Sequence, residues 1–146
     1  MPLPKLVGTG ELPIGVHSAS LSEMVVRFGV GSRRRRMLAR RLERVFDTAS
    51  GTGCLVRFIV FETFVTAKKE PNDVGVFMTM GDNFEVGKLS GEAHLLFNHA
   101  TAQSHFGCSV FWIRQLAAMG GEQTAIEDWQ IKRDGSRRGI VEITGD

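Results

Sequence analysis

Residues 55–80 read LVRFIVFETFVTAKKEPNDVGVFMTM, and this stretch decides the fold. LVRFIVF at 55–61 and VGVFMTM at 74–80 are β-branched and aromatic runs of strand length. The residues between them are mostly polar and include Pro71 and Asn72, which are typical of turns. We therefore predict a central strand at 55–61 and a second, adjacent strand. A broad turn from Glu62 to Asn72 joins them, and Asp73 starts the second strand.

Two helices are predicted before this hairpin. Residues 1–19 are rich in Pro and Gly and are interpreted as an extended N-terminal segment. Ser20 and Glu23 have the spacing of a capping box, which predicts that a short helix begins there. Ser32 is placed to cap a second helix at about 33–49.

The second predicted helix is amphipathic. At about 100° per residue, one face gathers the apolar side chains of Leu38, Leu42, Val45 and Phe46. The opposite face gathers the basic side chains of Arg33, Arg36, Arg40 and Arg44. The net charge is only +2, yet residues 27–44 contain eight arginines and a single acid. This local charge predicts attraction for a polyanion, although an ordinary surface helix shows the same separation of faces.

The C-terminal half adds further elements. Residues 90–106 have apolar side chains at helical spacing, 108–113 form a third strand and 121–130 a short helix. The turn signal DG at 134–135 predicts a C-terminal hairpin or edge strand. We expect one α/β (α+β) domain over residues 1–146, with a small mixed central sheet of about four to five strands and helices packed on it.

Composition and cysteine usage exclude several classes. The chain has 42% hydrophobic and 23% charged residues, values typical of a globular domain. It contains no apolar run of membrane-helix length and no signal-peptide core, so we expect a cytoplasmic protein without a membrane partner. Cys54 and Cys108 lie in apolar surroundings and are interpreted as reduced core thiols rather than a disulfide or zinc site.

The order helix, helix, strand, turn, strand, helix, strand resembles the minimal nucleotidyltransferase, the polymerase-beta-like catalytic core. FETFVTAKKEPNDVGVFM is similar to a segment of short bacterial members that reads Gly-Ser-Phe-Val-Thr, polar residues, Pro-x-Asp and Val-Asp. LPIGVHSASLSEMVVRFG before it and RDGSRRGIVEI after it resemble flanking segments of stand-alone members. The resemblance implies a nucleotidyltransferase-like fold and a toxin–antitoxin or defence context.

That resemblance also implies a site, from which this chain departs. In the family, a glycine and a serine approach the nucleotide phosphates, two aspartates at i and i+2 hold metal ions, and a third carboxylate acts as base. Here Glu62 and Thr63 stand at the glycine-serine pair, and Asp73 is followed by Gly75 at the second aspartate. Ser109 stands where the third acid is expected.

Several residues are therefore candidates for binding. Asp73 is the candidate catalytic and metal-binding residue, or alternatively a turn aspartate that caps its bend. Glu62 is a candidate substitute metal ligand, or a solvated turn residue. By the same resemblance, the candidate nucleotide-binding residues are Glu62, Thr63, Thr66, Lys68 and Lys69. The candidate nucleic-acid-binding residues are Arg33, Arg36, Arg40 and Arg44.

Three functions follow as expectations. The first is a catalytically impaired nucleotidyltransferase-like protein that binds a nucleotide, RNA or a protein partner, which includes a second copy of itself. The second is an active enzyme that needs magnesium and transfers a nucleoside monophosphate from a triphosphate to a hydroxyl. The third is a basic module that binds nucleic acid through the arginine helix.

Overall fold

The computed structural model describes residues 3–145. Its strands are β1 (Gly15–Ala19), β2 (Leu55–Phe61), β3 (Gly75–Met80), β4 (Ser109–Arg114) and β5 (Gly139–Ile143). Its helices are α1 (Leu21–Phe28), α2 (Arg33–Gly51), α3 (Glu92–Leu96), α4 (His99–Phe106) and α5 (Glu122–Glu127). The predicted α+β class with one mixed sheet is confirmed.

The five strands form one sheet in the order β1-β5-β2-β3-β4. β2 and β3 pair in antiparallel fashion, as the hairpin prediction requires, and β2 is the central strand. β3 pairs in parallel with β4, and β1 pairs in parallel with β5. Residues 62–73 contain only a single 3₁₀ turn (Thr63–Val65), so the connection is a turn as predicted, although β3 begins two residues after Asp73.

The other side of the sheet differs from the prediction in two respects. The sequence suggested a C-terminal hairpin or edge strand. The predicted turn at 134–135 does form, with an antiparallel bridge between Ile131 and Arg137, but β5 is not an edge strand, because it lies between β1 and β2. The segment at 1–19 was expected to be extended, and within it Gly15–Ala19 forms an edge strand, not predicted from the sequence, that pairs with β5. β1 has no clear alternating pattern, and its partner is about 124 residues away, so local pattern could not reveal the pairing.

Both predicted helix starts are confirmed. The Ser20 hydroxyl accepts a hydrogen bond from the Glu23 amide at 3.1 Å, and Ser32 accepts one from the Arg35 amide at 3.1 Å. The capping box is only half formed, because the Glu23 carboxylate accepts from the Leu3 amide at 2.7 Å instead. This bond ties the N-terminal segment to α1.

The sheet separates two apolar clusters. The larger cluster packs α1 to α4 against alternate strand residues such as Phe58, Val60 and Met78. The smaller one, on the other face, contains Ile59, Phe61 and Phe77 with residues of α5. The second face is thus covered by much less structure, which leaves room for clefts beside α5.

The remaining helical predictions hold in outline. The stretch at 90–106 is divided into α3 and α4, because Asn98 caps a new helix by accepting from the Thr101 amide at 3.1 Å. The stretch at 121–130 forms α5 followed by a 3₁₀ turn. Within residues 3–145, no helix is long and apolar enough to cross a membrane.

Both cysteines are free thiols, as expected, and Cys108 is fully buried while Cys54 is half-buried. Burial, together with the negative charge of Asp73, raises the pKa of Cys108 to about 12. Cys108 is therefore an inert core thiol.

Candidate functional site

The ends of three neighbouring strands bring the predicted site residues together. In the sheet register Phe61 pairs with Gly75, and Gly75 pairs with Ser109. Glu62 follows the end of β2, and Asp73 precedes the start of β3 by two residues. All of the residues predicted from the resemblance to replace the catalytic constellation therefore lie at one end of the sheet.

Glu62 adopts a backbone conformation that normally requires glycine. Its φ of 77° and ψ of −172° fall in a region that is essentially restricted to glycine, and no other non-glycine residue in 3–145 has a positive φ. Strain of this kind costs about 1–3 kcal/mol. The side chain approaches Arg138, with carboxylate oxygen and guanidinium nitrogen 3.8 Å apart.

Thr63 and Thr66 hold the turn in shape. The Thr63 hydroxyl accepts hydrogen bonds from the backbone amides of Asn72 at 2.9 Å and Asp73 at 3.4 Å. The Thr66 hydroxyl donates to the Thr63 carbonyl at 2.7 Å. Both hydroxyls are thus engaged with backbone of the turn, whereas the predicted role of Thr63 was a contact with phosphate.

Asp73 contacts its neighbour across the sheet. Its carboxylate accepts a short hydrogen bond from the Ser109 hydroxyl, and the Gln103 side-chain oxygen lies 3.1 Å from the same hydroxyl. The carboxylate therefore bonds to Ser109 rather than capping its own bend. These contacts include no histidine or lysine, and the ionisable partner of the Ser109 hydroxyl among them is the Asp73 carboxylate.

A second carboxylate does not fit at Gly75. A Cβ atom there would lie 2.7 Å from the Glu62 Cγ and 2.7 Å from the Phe61 ring. Within residues 3–145, no three His, Cys, Asp or Glu side chains lie together as a metal-binding group. The residues present therefore do not fit the magnesium site that the resemblance implies, which needs converging carboxylates.

A buried arginine of α2, Arg35, forms hydrogen bonds with the backbone of the same turn. The Arg35 guanidinium donates to the carbonyls of Phe28 at 3.1 Å, Phe64 at 2.9 Å, Thr66 at 2.6 Å and Lys68 at 2.5 Å. Its residue is only 8% exposed, and burial lowers the pKa of Arg35 from its ordinary value. Its charge is balanced by carbonyl dipoles instead of a bonded carboxylate, so Arg35 fixes the turn to the helix.

An aromatic cavity of about 440 Å³ lies beside this end of the sheet, on the face covered by α5. Trp129 packs against Phe61 and Phe111, with ring centroids 4.8 and 5.0 Å apart. Phe111 follows Ser109 by two residues in β4, so their side chains share this face. The cavity is thus continuous with the face on which the strand-end residues lie.

Three cations rim the aromatic cavity: Lys132, Arg133 and Arg138. The Arg138 guanidinium lies 5.0 Å from the centroid of the Phe61 ring and donates to the Trp129 carbonyl at 3.3 Å. Lys132 forms an ion pair with Glu11 at 3.0 Å. Arg133 is exposed and makes no side-chain hydrogen bond within the described residues.

The two predicted lysines lie away from the aromatic cavity. Lys68 lines a separate, polar cleft of about 510 Å³ with Thr63 and Thr66. Lys69 is exposed on the same turn and lines neither cavity. Three of the five predicted nucleotide-binding residues therefore line this polar cleft, whereas Glu62 lines the aromatic cavity and Lys69 lines neither.

The arginines of α2 divide into two groups. Arg33, Arg36, Arg40 and Arg44 are exposed, which confirms the predicted basic face. The opposite face buries Leu38, Leu42 and Val45 and half-buries Phe46. Arg34 instead turns inward and donates to the carbonyls of Pro71 at 2.6 Å and Asn72 at 3.0 Å.

Sequence reasoning missed Arg35 and the aromatic cavity. The sequence did hold a signal for Arg35. It falls in the helical series that continues with Leu38, Leu42 and Val45, so its place on the buried face could have been predicted. The cavity has no such signal, because Phe111, Trp129 and Arg138 come from separate elements that meet only in the folded sheet.

The fold and site define a small α+β domain with one mixed five-stranded sheet and a cleft at its strand ends. The chain belongs to the family of unknown function DUF6932, which it matches over residues 4–144. No curated protein and no solved structure shows significant similarity to it.

Proposed function

We propose that this protein is a nucleotidyltransferase-like domain that binds a nucleotide but does not transfer it. The observation that carries the proposal is the aromatic cavity rimmed by three cations at the strand ends. It adjoins the turn whose sequence resembles the nucleotide-binding segment of nucleotidyltransferases.

The cavity has the two chemistries that a nucleotide needs. Phe111 and Trp129 line the cavity and are half-buried, and stacking of a base on an aromatic side chain contributes about 1–3 kcal/mol. Lys132, Arg133 and Arg138 supply charge for phosphate oxygens, and guanidinium groups bind these in bidentate fashion. Lys132 pairs with Glu11, and the Arg138 guanidinium lies 3.8 Å from the Glu62 carboxylate. Arg133 has no carboxylate partner within the described residues, so Arg133 is the main cation proposed to bind phosphate.

The same strand ends argue against transfer. Asp73 is the one carboxylate left of the three that the resemblance implies, and a single carboxylate is a poor magnesium site. Glu62 adds a negative charge beside the expected phosphate position, while Gly75 has no room for a side chain. A loss of even about 4 kcal/mol of transition-state stabilisation lowers a rate roughly a thousandfold.

The proposal that the protein binds a nucleotide is tested by measuring its affinity for ATP or GTP with Trp fluorescence and calorimetry. We expect binding that persists in EDTA, because the cations belong to the protein. Arg133→Ala should weaken it about tenfold, the loss of one charge-assisted hydrogen bond. Arg137→Ala is the matched control, since Arg137 is exposed in the same turn but does not line this cavity. Equal effects of the two changes, or no binding at all, would refute the proposal.

The proposal that the protein does not transfer the nucleotide is tested by incubation with labelled ATP, magnesium or manganese, and RNA or protein acceptors. We expect no labelling above background. Labelling that needs metal and disappears in Asp73→Asn would instead establish the active enzyme. The toxin–antitoxin or defence context and a protein partner or homodimer stay predictions of the resemblance alone.

A further inference from the structure

Five arginines line an exposed groove of about 420 Å³ on α2. The groove is formed by Arg33, Arg36, Met37, Arg40, Arg41 and Arg44, so every lining residue comes from this one helix. α2 packs on the larger apolar cluster, whereas the aromatic cavity lies on the opposite face of the sheet. The groove is therefore a separate surface, and its function goes beyond nucleotide binding.

Most of this positive charge has no acidic partner within the chain. Arg44 forms an ion pair with Glu92. Arg41 donates to the Gly107 carbonyl at 3.4 Å, a contact that leaves its charge uncompensated. Arg33, Arg36 and Arg40 make no side-chain hydrogen bond or ion pair inside the described range 3–145. Four of the five guanidinium charges thus lack a carboxylate.

This arrangement opposes helix stability. Arg36 and Arg40, and Arg40 and Arg44, are like charges at i and i+4, which destabilise a helix. The first turn of α2 carries arginines and no acid, although the N-terminus of a helix favours negative charge. Bound anions would relieve both repulsions, which is a physical reason to expect an anionic partner.

We infer that this groove binds the phosphate backbone of a single-stranded polynucleotide. The rise of an α-helix places Arg33 and Arg44 about 16 Å apart along the axis, a length that spans several successive phosphates of one strand. Because the opposite face of α2 is packed against the larger apolar cluster, the helix presents one row of cations, which we expect to contact the phosphates of one strand.

The lining also determines how the strand is read. The groove contains arginines and one methionine, with no aromatic ring for base stacking. Its contacts are with phosphates, which carry no sequence information. Binding is therefore independent of sequence and does not distinguish RNA from DNA.

Fluorescence anisotropy with labelled 20-nucleotide oligo(U) and oligo(dT) at 50 to 200 mM salt tests this inference. Four uncompensated arginines predict a slope of log affinity against log salt of about −3, hence about a 50-fold loss over this range. The variant Arg33→Gln/Arg36→Gln/Arg40→Gln should bind weakly and lose only about threefold. It should keep the ATP affinity of the wild type, so this test can fail independently of the proposed function.

A control variant removes equal charge elsewhere: Lys5→Gln/Lys88→Gln/Arg137→Gln, three exposed residues outside the groove. It should retain nearly all of the wild-type affinity and slope. Equal loss in both variants, absence of binding at 50 mM salt, or tighter binding to a 20-base-pair duplex would overturn the inference. So would a preference for oligo(U) over oligo(dT) greater than tenfold.

Discussion

The turn at 62–73 and the exposed face of α2 are both rich in polar and charged residues, but they are held very differently. In the turn, hydroxyls, amides and carbonyls bond to one another and to Arg35. On the helix face, Arg33, Arg36 and Arg40 project without partners in the described chain. Groups satisfied internally maintain the fold, whereas unneutralised charges remain available to a ligand.

The strongest test of this comparison uses two neighbouring residues of α2, Arg35 and Arg36. Arg35→Ala removes four hydrogen bonds to backbone carbonyls, two of them buried, and should lower the free energy of unfolding by about 3 kcal/mol. Arg36→Ala should change it by about 0.5 kcal/mol or less. Urea denaturation measures both. If the two variants lose equal stability, the division into held and free arginines is wrong.

Arg35→Lys sharpens the same test. Lysine keeps the charge but offers donors from one atom instead of a planar fork, so its stability should fall between those of wild type and Arg35→Ala. A stability equal to that of wild type would mean that charge alone, without the guanidinium geometry, holds the turn.

Gly75 tests how tightly the turn closes over the strand ends. Gly75→Ala brings a Cβ within 2.7 Å of Glu62 and Phe61 and should cost about 2 kcal/mol in thermal unfolding. Gly87→Ala is the control, because nothing lies within 4 Å of a Cβ there, and should change stability by about 0.5 kcal/mol or less. Gly75→Asp should likewise destabilise the fold without creating a metal site.

The buried thiol of Cys108 should make the free energy of unfolding depend on pH. Its pKa in the folded protein is about 12, above the ordinary 9.0, so the folded state keeps a proton that the unfolded state releases. Stability should therefore fall as pH rises from 9 towards 12, by up to about 1.4 kcal/mol per unit. Urea denaturation at pH 8 to 10 should show a steeper decline for wild type than for Cys108→Ala. Identical declines would contradict this origin.

Among these predictions, Glu62→Gly should give the smallest change in the free energy of unfolding and the only increase. Glu62→Gly relieves a glycine-type backbone conformation and should raise the free energy of unfolding by about 1 kcal/mol. Its ion pair with Arg138 is partly exposed and 3.8 Å long, so its loss costs little. Glu62→Ala keeps the strain and should show no gain. A loss of stability in Glu62→Gly would mean that the side chain contacts outweigh the strain.

The N-caps at Ser20 and Ser32, the basic face of α2 and the β2–β3 hairpin were all predictable, because each depends on residues within a few positions of one another. The resemblance also indicated which residues gather at the strand ends, and the register brings Phe61, Gly75 and Ser109 together. The nucleotidyltransferase function that the resemblance implies stays a prediction.

The rest depended on contacts between distant parts of the chain. The sequence by itself determined where the helices and the strands other than β1 form, since hydrophobic period and capping are local properties. Only the tertiary structure decided that β5 lies between β1 and β2, that Arg35 is buried against carbonyls up to 33 positions away, and that Phe111, Trp129 and Arg138 surround one cavity. Pairing and burial depend on how the elements pack together, so no local pattern specifies them.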